Sequence, residues 1–359
     1  MNKKVIISKK ILNNNIEILK NEFKDTKIMG VLKSNAYGHG IIEMAEFLDD
    51  KVDMLGVSDC EEAKQINGKI SKDIMILTPY FSEEIVDNKI IFTVDSIEKA
   101  EKLNKIAKVK GIIARMHLKV NTGLNRFGID KDQISIFLDK VNKMQNVKLE
   151  GIFSHMAYNG VNNKKMALKQ IDRFKEVKSY IEQISTDDYM YHLAASENAI
   201  DFEEARFDMV RIGNALYGPC QMKNVLPLKK IARCEIEVID IVDRCKDNRI
   251  GYKGTCKLKE HSKVAILPFG FHDGYRVQKL NKAANIIELA KSGARLIRDS
   301  IMNSSQFYKD GIKLKQLGVE NAQYTLIDVT NINIKIGDKI TYKGPMFYIN
   351  SNIDRVIEE

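Results

Sequence analysis

Lys33 closes a short apolar run, Lys27 to Lys33, and is followed at once by Ser34-Asn35-Ala36-Tyr37-Gly38-His39-Gly40. A lysine carried on a strand end into a partly dry mouth has its pKa lowered by desolvation, and the freed amine becomes a nucleophile suited to Schiff-base chemistry. On residue type alone such a lysine is more often simply solvated, so its company has to decide. Similar runs end in Lys119, with Arg126 seven residues on in KVNTGLNRFG, in His155 of SHMA, in Ser196 of HLAAS, and in Arg211 followed by Ile212 and Gly213. Taken singly, His155 reads as a hydrogen-bonded core residue, Arg211 as half of an ion pair, and Ser196 as the N-cap of a following helix. Together they set cations, an imidazole and a hydroxyl around one rim. Ser196 beside the small Gly213 would let a hydroxyl and backbone N–H groups approach an anion.

What must position these groups is a repeated unit. Eight apolar runs, Lys27 to Lys33, Met54 to Val57, Ile74 to Leu77, Ile90 to Val94, Ile112 to Val120, Leu149 to His155, Met190 to Ala194 and Met209 to Gly213, alternate with amphipathic stretches such as Ser96 to Ala107 and Met166 to Ile184. Eight βα units predict an α/β fold with a closed eight-stranded parallel barrel of TIM type, whose reactive groups gather at the carboxyl ends of the strands. From about Pro227 the pattern changes to β-branched runs broken by polar turns, such as IEVIDIVD, KVAILPFGF and NINIKIGDKITYKG, which predicts a C-terminal, mostly antiparallel β domain. The expected division is a strand within residues 1–10 joining the C-terminal domain, a barrel over 11–223, and the β domain over 224–359.

The chain has 359 residues, enough for two domains, with 44% hydrophobic and 29% charged residues, which excludes disorder and fibres. The net charge of +9 is spread along the chain without a basic stripe, so no nucleic-acid partner is expected. Five scattered cysteines without a C-x-x-C pair fit a reducing cytoplasm, and no metal site is expected. The apolar start stops after Ile7, too short for a signal peptide, and no run approaches a membrane span, so a soluble, unprocessed protein is expected.

G-x-x-x-x-G-K-[ST] is absent and Gly38-His39-Gly40 lacks the third glycine of a dinucleotide fingerprint, so ATP and NAD lose weight. A rim lysine with a nearby anion cup and a group to face a ring nitrogen is the arrangement that pyridoxal phosphate requires. VLKSNAYGHG closely resembles the cofactor-lysine motif of the alanine racemase family, the fold-type III pyridoxal phosphate enzymes. KVNTGLNRFG, SHMA, HLAAS, VRIGNALYG, GYKGT, FGFHDGY, a weak IMN and GDKI follow in the family's order and cover nearly the whole chain.

The resemblance implies an isomerase, a racemase that makes a D-amino acid such as those used in cell wall biosynthesis. It implies that Lys33 anchors the cofactor and serves as one base, and that Tyr252, otherwise an ordinary β-domain residue, is the second. Two bases let a proton leave one face of the α-carbon and return on the other. Tyr37, Ser196, Ile212 and Gly213 match phosphate-binding positions, and His155 and Arg211 a hydrogen-bonded chain to the pyridine nitrogen. Arg126 and Met302 match the substrate side, and Lys119 the position often carbamylated. The family is also homodimeric, each catalytic tyrosine coming from the partner. Asn121, Ala195, Phe271-His272 and Ile301-Met302-Asn303 depart from the family's pattern, and its late tyrosine falls on Met346, with Tyr348 nearby. Serine or broader specificity, a cofactor-binding protein without turnover, and a decarboxylase on the same barrel stay as alternatives.

Overall fold

In the computed structural model, residues 2–158, 164–219, 226–277, 290, 293 and 305–359 are described. Strand β1 is Lys3–Ser8. The eight apolar runs become β2 (Lys27–Val31), β3 (Met54–Val57), β4 (Ile74–Ile76), β5 (Ile90–Val94), β6 (Ala114–Lys119), β7 (Val147–Phe153), β8 (Met190–His192) and β9 (Met209–Ile212). They pair in the order β8-β7-β6-β5-β4-β3-β2-β9, every pair parallel, and a parallel bridge from Ala195 to Arg211 links the two ends. The eight-stranded parallel barrel is therefore present. Helices connect the strands: Ile97–Lys110 starts where the Ser96 side chain accepts from the Lys99 N–H, and Lys164–Ile184 covers another face. Several strand edges differ by one or two residues from the sequence reading, and two of them bear on the site. The first barrel strand stops at Val31, two residues before Lys33, and β7 stops at Phe153, two before His155.

Period-two alternation explains how the barrel carries its chemistry. Met29, Val31, Met54, Met75, Ile91, Phe153 and Met209 fill one buried cluster. Two residues along β9 from Met209 comes Arg211, two from Phe153 comes His155, and His117 precedes Lys119 by two on β6. Apolar side chains thus plug the barrel, and the polar ones stand one pleat nearer its carboxyl end.

The contacts divide the chain into Lys9–Ile231 and a second unit made of residues up to Ser8 with Ala232–Glu359. In the second unit the strands are β10 (Ala232–Glu237), β11 (Asp240–Arg244), β12 (Arg249–Ile250), β13 (Cys256–Lys257), β14 (Ser262–Leu267), β15 (Phe307–Lys309), β16 (Ile312–Lys313), β17 (Lys315–Gln316), β18 (Thr325–Asp328), β19 (Lys339–Tyr342) and β20 (Asp354–Glu358). Six form one sheet in the order β16-β15-β19-β10-β1-β20, and four form another, β11-β14-β18-β17. All their pairings are antiparallel except β1 with β20. Phe269, Tyr275, Phe307 and Tyr342 pack as a buried aromatic core, and Lys3 reaches the buried Asp273 carboxylate at 2.6 Å. No helix among the described residues is long and apolar enough to cross a membrane.

Candidate active site

Among the described residues of the barrel unit, the backbone after Lys33 holds the longest run of left-handed non-glycine residues. Lys33 opens a turn in which Ser34, Asn35, Ala36 and Tyr37 all have positive φ, from 51° to 57°. Left-handed helical geometry costs an L-residue about 1–2 kcal/mol, so four in a row persist only where the surroundings over-determine them. Here they do. The Leu32 N–H still donates to Gly56 O, after which the Ala36 N–H closes on Leu32 O. The Asn35 N–H donates to Glu62 Oε1 at 3.1 Å, and Asn35 Oδ1 accepts from the Ile41 N–H at 2.8 Å. Tyr217 stacks on His39 and donates its hydroxyl to Val31 O. The lysine amine is held 5.6 Å from the Tyr37 ring, and burial, then Arg126 and Arg211, lower its pKa.

Arg211 is the hub of the rim. Its guanidinium, buried on β9, donates to Ser154 O and Leu193 O at 2.7 Å each, to His192 O at 3.1 Å and to His192 Nδ1 at 2.7 Å, and lies 3.4 Å from His155 Nδ1. A guanidinium has no acceptor, so His192 Nδ1 must accept and its proton sits on Nε2. That Nε2–H then donates to His117 Nδ1 at 2.9 Å, which places the His117 proton on its own Nε2. Burial, followed by nearby arginines, holds both rings neutral, His192 well below the ordinary range and His117 down at about 3. His155 is likewise depressed by burial and Arg211.

The region around Ser196 and Gly213, expected to form an anion cup, differs in one detail from the sequence reading. Ser196 does not cap its helix; Ala195 holds the N-cap position with no side-chain cap bond. The Ser196 hydroxyl instead accepts from the Gly213 N–H at 3.0 Å and the Ala215 N–H at 3.4 Å, leaving its own proton to donate. A Cβ at Gly213 would lie 2.3 Å from the Tyr37 hydroxyl, so any side chain there would displace the Tyr37 ring. Ile212 is buried on β9 beside it, opposite Gly30. Lys119 lies across the barrel, its Nζ donating to Leu77 O and lying 5.0 Å from the Phe153 ring centroid; burial, then Arg211 and Arg126, bring its pKa to about 7.

The barrel unit thus gathers Lys33, Tyr37, Lys119, Arg126, His155, Ser196, Arg211, Ile212 and Gly213, with Arg126 exposed in the loop after β6. Tyr252 belongs to the other unit, where its side chain is 60% exposed. Met302 and Asn303 lie outside the described residues. Three participants escaped the sequence reading. Glu62 clamps the left-handed turn, and His192 and His117 stand behind Arg211. His117 carried a usable signal, its two-residue spacing from Lys119 on one strand, whereas Glu62 sits in an ordinary amphipathic helix and carried none.

Residues 7–221 match the family model for the alanine racemase N-terminal domain, and residues 231–356 the model for the alanine racemase C-terminal domain. Alanine racemase 2 of Caldanaerobacter subterraneus subsp. tengcongensis is 30% identical over 328 residues, 89% of this chain and 79% of that protein. The solved alanine racemase of Clostridium difficile 630 has a TM-score of 0.86 at 26% identity, covering 100% of this chain and 96% of its own. Alanine racemase from Bartonella henselae, solved with covalently bound pyridoxal phosphate, superposes with a TM-score of 0.79 at 21% identity, covering 100% of both chains.

Proposed function

The chain belongs to the alanine racemase family, and on that footing we propose that it is a pyridoxal-phosphate-dependent amino-acid racemase, acting on alanine first, with Lys33 and Tyr252 as its two bases. The observation that carries the reading is the strained turn that delivers a desolvated Lys33 amine to a rim shared with Arg211, Ser196 and Gly213. The residues present fit the cofactor. Lys33 would hold it covalently. Tyr37, the proton of the Ser196 hydroxyl and the backbone of Ile212, joined by the Gly213 N–H once it leaves Ser196 Oγ, would hold its phosphate. When bound, it supplies an electron sink that acidifies the α-proton of an amino acid. Arg211, being only a donor, would meet the ring nitrogen without protonating it, which limits that sink and the side reactions a stronger one allows.

The rest is proton handling by this chain. The Lys33 amine, lowered in pKa, takes and returns a proton at Nζ on one face of the substrate, and the Tyr252 phenol does so on the other. Arg126 orients the substrate carboxylate and the cofactor hydroxyl. Tyr252 is 60% exposed and Phe271 55%, which supports a homodimer in which each β unit closes its partner's barrel. A cytoplasmic location is part of the same proposal. Incubating the purified protein with L-alanine, L-serine and a panel of longer amino acids, followed by chiral chromatography, tests the reading. D-alanine forming fastest supports it, and D-serine forming faster moves the substrate. No racemisation and no α-hydrogen exchange in deuterated water would leave a cofactor carrier, and carbon dioxide release a decarboxylase. A side-chain methylene changes binding by about 1–3 kcal/mol, so preferences of roughly ten- to two-hundredfold are expected between neighbours in size.

Lys119 we assign as the carbamylation position. Carbon dioxide adds only to a neutral amine, and a pKa of about 7 leaves much of this one neutral at physiological pH. Labelled with 13C-bicarbonate at pH 8, the protein is expected to show a carbamate carbon resonance that fades as the pH falls below 7, where the amine protonates. A resonance that survives in Lys119→Ala would rule the assignment out.

A further inference from the structure

Tyr252 sits in a loop that its own hairpin holds weakly. β12 and β13 pair over only two positions, Arg249 with Lys257 and Ile250 with Cys256, and the five residues between them carry the phenol. With a largely exposed ring, the side chain has little packing within its unit to fix where it points. Its backbone must do so.

We propose that the turn Gln316 to Glu320 is the seat that positions Tyr252, acting through a backbone contact between Gly251 and Gly318; this rests on the reading of Tyr252 as a base. Two hydrogen bonds join the segments: the Tyr252 N–H donates to Val319 O at 3.1 Å, and the Val319 N–H donates to Thr255 Oγ1 at 3.1 Å. Between them the chains touch without side chains. A Cβ at Gly318 would lie 2.8 Å from Ile250 O and 2.9 Å from Gly251 Cα, and one at Gly251 would lie 2.8 Å from Gly318 Cα. Both glycines also have positive φ, +67° and +82°. Any side chain at either place pushes the phenol's loop off its support.

The seat is itself locked from behind. Gln316 Nε2 donates to Gly318 O at 3.1 Å and to Glu320 Oε2 at 2.7 Å, while Gln316 Oε1 accepts from the buried Tyr275 hydroxyl at 2.5 Å. Leu317 packs in an apolar cluster with Leu258 and Val264, against which Ile250 and Cys256 also pack. Loop and seat therefore share one small core. The two residues that follow the seat receive the 270–272 turn, since the Phe271 N–H donates to Asn321 O and the His272 N–H to Ala322 O.

Gly318→Ala tests this in the full-length, cofactor-loaded protein. A misplacement on the order of 1 Å costs about a hundredfold in rate, so the variant is expected to lose about that much in kcat with KM changed far less. α-Hydrogen exchange of the two enantiomers in deuterated water should become unequal, one falling with kcat and the other persisting through Lys33. Thr255→Val, at the loop surface, should shift exchange the same way more mildly, and Thr255→Ser, which keeps the acceptor, should restore it; these variants carry the test if Gly318→Ala does not fold. A 3-fluorotyrosine at position 252 should move its 19F resonance in Gly318→Ala and Thr255→Val whether or not the protein racemises. Unchanged resonance and exchange in a folded variant, or an equal fall for both enantiomers, overturns the proposal. A wild-type protein that does not racemise while the resonance still moves overturns the reading of function and keeps the seat.

Discussion

Lys33→Ala is expected to abolish racemisation, by about ten-thousandfold or more, and with it the visible absorption band of the loaded protein. Two contributions disappear at once. The ε-amine is the covalent anchor and also the base on one face, and positioned acid–base groups alone contribute about 10²–10⁴-fold. Alanine leaves the left-handed turn to be held by Glu62, Asn35 and Tyr217, so circular dichroism and the unfolding midpoint should change little. The measurement pairs an absorption spectrum with D-alanine formation from L-alanine. A folded Lys33→Ala protein that racemises at the wild-type rate would defeat the assignment of the whole barrel rim.

Tyr252→Phe is the second large effect. It removes one oxygen from an exposed ring, so stability and cofactor absorption should hold while racemisation falls by about 10²–10⁴-fold. Exchange of the α-hydrogen should be lost for one enantiomer and retained for the other, because Lys33 still serves its own face. Equal, undiminished exchange for both would remove Tyr252 from the mechanism. The pairing of subunits can be read in the same experiment. If the phenol comes from the partner, co-expressing Lys33→Ala with Tyr252→Phe yields hybrid dimers holding one intact site, and the mixture should recover about a quarter of wild-type activity. If both residues serve the same chain, no mixture of the two inactive variants recovers anything.

Legibility followed the range of the interactions. The eight barrel strands were visible because each must bury an apolar face, and burial writes a local pattern of short runs between amphipathic stretches. Arg211, His155 and Lys119 were visible because they fall at the ends of those runs. The reach of each strand was less so: β2 was read to Lys33 but ends at Val31, shortly before the left-handed turn whose Asn35 N–H is held by Glu62, twenty-seven residues away in sequence. Ser196 read as a helix cap because the cap pattern is local, whereas the bonds its hydroxyl makes come from Gly213 and Ala215.

By itself the sequence determined the fold class, the motifs and the set of side chains available for chemistry, because hydrophobic periodicity and residue type are properties of short stretches. Only the tertiary structure decided which atoms face one another. The neutral His192 and His117 behind Arg211, the four left-handed residues after Lys33 and the glycine contact beneath Tyr252 all depend on close approach between segments distant along the chain. Hydrogen bonds and steric fit act over about 3 Å, and no spacing along one strand of sequence encodes such a distance between two.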